Sequence, residues 1–325
     1  NPSAEQNAAA VTIAASGTAV FPTARGAMTT DTGDRYGVTD GGKPIKVIVP
    51  SFSVKAIGQS TPLAGATVTI SVTLTANVDF PTGSTVTIAG LTGTQTADSG
   101  SLAVNTSGLM GTSGNWTQSP GTLVLTAADG GTCAQGAACT VTFDLQHAAA
   151  EYTPPTVRIS AAVNNGSTAL GSIAQADMVA PNAPLLGVVN GTNPLLVVLP
   201  EFDVRKIGQS NPLAGGSNTI TVTIQSNVNL AQATHSSVVT ISGLTNAADA
   251  ASLALTSVEN SGASLFGNGS TQATGALSSG TLTLTVHTAQ TVLAGTQYAF
   301  SFTITNPSAE QNAAAVTIAA SGTAV

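Results

Sequence analysis

Residues 67–77 read TVTISVTLTAN: Val, Ile, Val and Leu stand at every second place, with Thr or Ser between them. A period of two is the side-chain period of a β-strand, so one face of this stretch is apolar and the other hydroxylated. Three more stretches repeat the pattern, NTITVTIQSN at 218–227, TLTLTVHT at 281–288 and FSFTITN at 300–306. The Ala-rich pieces, such as 247–255, are too short and interrupted for helices. Many short alternating strands punctuated by Gly, Asn and Pro predict an all-β chain built as immunoglobulin-like β-sandwiches.

The stretch around 67–77 also belongs to an internal repeat. Residues 47–80 read VIVPSFSVKAIGQSTPLAGATVTISVTLTANVDF, and 197–230 read VVLPEFDVRKIGQSNPLAGGSNTITVTIQSNVNL. Further on, VTIAGLT at 86–92 returns as VTISGLT at 239–245. VTFDL at 141–145 returns as FSFTI at 300–304. The offset drifts from 150 to 159, as small loop insertions make it. Two homologous modules are read, 44–165 and 194–325, with linkers at 21–43 and 166–193.

A second duplication is exact to the letter. Residues 1–20, NPSAEQNAAAVTIAASGTAV, are identical to residues 306–325. The module alignment makes 306–325 the last strand of module two, matching 147–162 in module one. Residues 1–20 are then the same strand without its module, read as a donor strand or as the overlap of a longer array. Val11 and Ile13 fall on one face, extended by Ala9 and Ala15, and Val316 and Ile318 are their C-terminal equivalents. A sandwich lacking its last strand exposes a groove and strand edges that invite pairing with another chain.

Composition narrows the function classes. Eight Lys and Arg against 15 Asp and Glu leave a net charge of −7, without the clustered basic surface a nucleic-acid partner needs. No run of eighteen apolar residues exists, so no membrane-spanning helix is read. The opening residues carry neither the basic nor the apolar region of a signal peptide. Cys133 and Cys139 flank a Gln-Gly turn and are expected to form a disulfide stapling a hairpin, which favours an oxidising compartment. Val292 and Tyr298 occupy the matching places in module two.

Candidate chemistry is sparse. Asp31, Asp34 and Asp40 are spaced like a loose calcium loop but lack the closing bidentate Glu, so a polar turn is expected and no metal or cofactor is assigned. His147, His235 and His287 have no nucleophile motif around them and are expected to be surface polar residues rather than catalytic groups. Asn105, Asn115, Asn165, Asn190 and Asn268 head Asn-X-Ser/Thr sequons that can carry glycans.

The terminal strand and the sandwich patterning together resemble the subunits of bacterial pili, in which an N-terminal extension completes the immunoglobulin-like fold of a neighbour. They are also similar to sandwich-built environmental fibrils and to tandem-sandwich algal mastigoneme proteins. The resemblance implies an extracellular structural subunit whose partners are copies of itself. The alternative is a set of spacer modules in a cell-surface adhesin or surface-layer protein. An enzyme is the weakest reading.

Overall fold

The computed structural model describes residues 3–18, 23–107, 110–128, 133–232, 236–268 and 271–322. The chain is all-β; a single 3-10 turn, Gly262–Leu265, interrupts the strands among the described residues. It divides into two compact units. The first holds residues 1–59, 69–145 and 154–181, the second 60–68, 146–153 and 182–325.

In the first unit, one sheet runs in the order Thr168–Asp177, Arg158–Asn165, Thr85–Ala89, Thr122–Ala127, Met110–Thr117 and Ser99–Thr106. Strand Ser99–Thr106 then changes sheet: its start pairs with Met110–Thr117 and its end with Cys139–Gln146. The second sheet continues from there through Thr67–Ala76 to Phe52–Gln59. A strand that passes from one layer to the other closes a corner of a sandwich. The alternation read at 67–77 is realised directly: Val68, Ile70, Val72 and Leu74 are buried while the Thr and Ser between them face outward. Trp116 lies in this core with its indole N–H donating to the Thr96 carbonyl at 3.0 Å.

The second unit repeats the plan. Phe202–Gln209, Ser217–Ser226, Tyr298–Thr305 and Thr256–Glu259 form one sheet. Ala250–Ala254, Thr274–Ser278, Thr281–Thr285, Val238–Ser242 and Thr317–Ser321 form the other. Its core includes Phe266 and Phe300, whose rings meet edge to face at 5.4 Å.

Parts of both segments read as linkers form strands. Residues 168–177 of the 166–193 segment form a strand, joined to Arg158–Asn165 through a two-residue Gly166-Ser167 loop in which Asn165 pairs with Thr168. Gly166 takes φ 58°, the left-handed geometry a tight hairpin demands and glycine tolerates. In the 21–43 segment, Thr23–Ala27 pairs with Thr12–Ala15. The N-terminal strand is therefore folded back on the following residues as a hairpin, and not held on a loose tether.

Candidate strand-exchange site

Three stretches of the chain share one sequence pattern and occupy three different environments. Arg158–Asn165 is an inner strand of the first unit: Ile159 lies opposite Ile88 on one side and Ala176 on the other. Thr317–Ser321 holds the same register on the second unit, with Ile318 opposite Ile241. Its other edge has no partner strand among the described residues. Among the described strands, Thr12–Ala15 is paired in a sheet with Thr23–Ala27 and no other. Burial follows these environments. Ile159 is 0% exposed, Val316 and Ile318 are half-buried, and Ile13 is 63% exposed. Val11 is half-buried, and Ala9 and Ala15 are exposed.

The hairpin at the N-terminus is a geometric copy of the one in the first unit. Thr12 pairs with Ala27 as Arg158 pairs with Asp177. Met28 N–H donates to the Val11 carbonyl at 2.9 Å, and Met178 N–H to the Val157 carbonyl at 2.9 Å. The likeness continues past the hairpin. Tyr36, Asp40 and Ile45 take positive φ, and so do Leu186, Asn190 and Leu195, each 150 residues later. Left-handed backbone at Ile and Leu is strained and survives only where its surroundings fix it, so its recurrence marks one architecture made twice. Gln6 and Val47 bridge in one copy, Tyr152 and Val197 in the other.

What the first unit does with this element is visible at Val179. It forms a parallel bridge to Ala56, with Ile57 N–H donating to Val179 and Val179 N–H to Lys55. The chain thereby ties the edge of one sheet to the edge of the other and covers Ile57. At the equivalent edge of the second unit no such bridge reaches Lys206 among the described residues. Ile207 is 42% exposed where Ile57 is 2%, and Leu213 is 69% exposed. An open apolar groove lies here. One part, about 290 Å³, is lined by Ile207, Val222, Ile224, Ile241, Val316 and Ile318. A larger part, about 630 Å³, extends past Leu213, Ile304 and Ala313. Arg205 and Lys206 stand at the rim.

The remaining candidate residues fall outside this groove. Cys133 and Cys139 are disulfide-bonded and buried. Val292 and Tyr298, at the matching places, are both buried but do not face each other: Val292 lies opposite Leu230 and Tyr298 opposite Ile224. Asp31 accepts from Gly33 N–H at 2.8 Å and from Arg35 at 3.0 Å; these hydrogen bonds hold its carboxyl below the usual range. Asp34 accepts from Asp40 N–H, and Asp40 pairs with Lys43 at 2.8 Å. The three carboxylates shape a turn, and no group of His, Cys, Asp and Glu suited to a metal occurs among the described residues.

Two of the three histidines are not the surface residues expected. His147 and His287 are both buried. Burial lowers His147 to about 4, against an opposing hydrogen bond with the Thr61 backbone, so it sits neutral in the structure. His287 accepts from Ala289 N–H at 3.3 Å and turns the chain locally. His235 lies outside the described residues, as do 1–2 and 19–20 of the first terminal copy. Asn105, Asn115, Asn165 and Asn190 are exposed and reachable by a glycan; the Asn268 side chain lies outside the description.

Sequence reasoning missed Ile207, Leu213 and the Met28–Ile48 element. A signal for the last was present: Gly37, Val38, Gly41, Pro44 and Val47 recur as Gly187, Val188, Gly191, Pro194 and Val197, which carries the 150-residue repeat back through the supposed linkers.

No protein-family model and no curated protein matches the sequence. Among solved structures, the C-terminal domain of the Streptococcus pyogenes antigen I/II-family protein AspA is similar, at 8% identity and TM-score 0.40 over 85% of this chain and 96% of that one. The serine-rich repeat adhesion glycoprotein Srr1 of Streptococcus agalactiae is matched at 11% identity and TM-score 0.21, over 84% of this chain and 92% of that one. A partial N-terminal region of an enterococcal surface protein is matched at 8% identity and TM-score 0.23, over 84% and 88% respectively. No residue and no role is carried over from these matches.

Proposed function

We propose that this chain is a structural spacer of an extracellular, cell-surface protein, built of immunoglobulin-like sandwiches in tandem, and that it performs no catalysis. The observation that carries this reading is the duplication of backbone at 28–48 and 178–198, left-handed Ile45 and Leu195 included. A stretch with so little chemistry is made twice only when the architecture itself is repeated. Repeat proteins use such stacking to gain length from one design. The disulfide and the hydroxyl-rich outer faces suit an oxidising, aqueous compartment. Exposed sequons at Asn105, Asn115, Asn165 and Asn190 are compatible with glycans there.

A homopolymeric fibre joined by donated strands is the more specific form of this reading, supported by the identity of residues 1–20 and 306–325. Antibodies against the folded chain, applied to intact cells of the source organism, test the general form. Label on the outer surface that is lost on brief protease treatment is the expected result. Label found only after permeabilisation overturns it.

A further inference from the structure

The N-terminal hairpin and the turn after it have the shape of an element whose seat is visible elsewhere in the same molecule. We propose that residues 5–18 and 23–48 of a second copy of this chain dock together on the second unit, taking the place of its strand 317–321 and closing the groove beside Ile207. The proposal deepens the spacer reading by naming the junction.

The geometry can be written out residue by residue from the equivalent stretch, residues 157–198. Strand Thr12–Ala15 takes the register now held by Thr317–Ser321 against Val238–Ser242, because the two sequences are identical. Its hairpin partner Thr23–Ala27 arrives already bonded, in the register of Arg158–Asn165 with Thr168–Asp177. Thr29 then stands where Val179 stands and meets Lys206 as Val179 meets Ala56. Ile207 N–H donates to Thr29, and Thr29 N–H to Arg205, as Ile57 and Val179 do. Ile48 reaches Leu213 as Val198 reaches Leu63, a bridge in which Ala64 N–H donates to Val198 at 3.0 Å.

Both halves carry unspent apolar surface at the positions this junction would cover. Ile13 and Ile45 on the hairpin element, like Ile207 and Leu213 on the groove, are exposed. Their counterparts Ile159, Leu195 and Ile57 are all buried, and Leu63 is partly so. Strand addition at a sheet edge supplies main-chain hydrogen bonds, and the alternate side chains fill the groove. The incoming hairpin covers more than strand 317–321 alone does, since among the described residues no second strand pairs with its outer edge and Val316 and Ile318 stay half-buried.

The test uses two full-length variants, Thr29→Cys and Lys206→Cys, mixed and oxidised; the native cysteines are already paired and buried. A cross-linked heterodimer is expected, well above that given by Lys206→Cys mixed with a control, Val258→Cys, on another exposed strand. Cross-linking should become several-fold faster when the Lys206→Cys partner ends at Thr305, because no resident strand must leave. It should be lost when the Thr29→Cys partner begins at residue 21. Heterodimer no more abundant than in the control overturns the junction. Undiminished cross-linking without residues 1–20 overturns the exchange. Either failure leaves surface display, tested separately on cells, untouched.

Discussion

The same isoleucine occurs three times in equivalent strands, which makes a controlled comparison of burial at constant chemistry. Ile159→Ala removes three carbon groups from a site with no exposure. At about 0.8 kcal/mol each the transfer loss is about 2.4 kcal/mol. Packed between Ile88 and Ala176 strands, the site cannot collapse freely, and the remaining cavity raises the cost to about 3–4 kcal/mol. Ile318→Ala lies in a half-covered edge strand on an open groove, so no closed cavity forms and about 1–1.5 kcal/mol is expected. Ile13→Ala removes a side chain still 63% exposed and should cost less than about 1 kcal/mol. Urea unfolding followed by fluorescence reads the first and third cases cleanly, since the single tryptophan, Trp116, is buried in the first unit. Hydrogen exchange of 238–242 and 317–321 reads the second. The protein is kept dilute so that no second copy covers Ile13. Equal losses for Ile159→Ala and Ile13→Ala would refute the assignment of one as an inner strand and the other as an uncovered one.

Other consequences follow from particular side chains. His147 titrates near 6.5 when unfolded and near 4 when buried, so the unfolded state gains a proton first as the pH falls. Stability should thus be complete above about pH 6.5 and decline by about 3 kcal/mol toward pH 4, as thermal unfolding across that range would show. His147→Asn, which places there the residue found at the equivalent Asn306, should flatten that part of the profile; an unchanged slope would exclude His147 as its source. Reducing Cys133–Cys139 opens a short loop and should lower stability by about 2 kcal/mol by denaturant titration. Because both sulfurs are buried, reduction should need denaturant, and rapid reduction of the native chain would contradict the burial. Gly90→Ala should cost more than about 2 kcal/mol in the same titration, since Gly90 sits at φ 90° with the Thr156 carbonyl where a Cβ would lie; a neutral result would show that the Gly90 turn relaxes.

Sequence alone determined the properties that are local or self-similar. Alternation at 67–77 and 218–227 fixed strand and face, because the pleat sends neighbouring side chains to opposite sides whatever the partner. The internal repeat and the identical ends fixed that one architecture is built more than once. The short Cys133–Cys139 spacing made the disulfide legible, but not its setting: Cys133 bridges Phe80, and Cys139 opens a strand that does not pair with Thr122–Ala127, so the bond staples no hairpin. Tertiary structure alone decided what each copy of the terminal strand touches. Val11, Val157 and Val316 each lead into a strand of one pattern, yet among the described residues only Arg158–Asn165 gains partner strands on both edges. Pairing is a contact between residues far apart in the chain, and no periodicity within a strand records which edge it meets. The same limit hid the burial of His147, whose surroundings come from the 60–66 turn, and the openness around Ile207, which depends on a strand beside it and not on its own neighbours. The Gly166-Ser167 loop was a local signal, and it turned a supposed linker into a strand of the first unit.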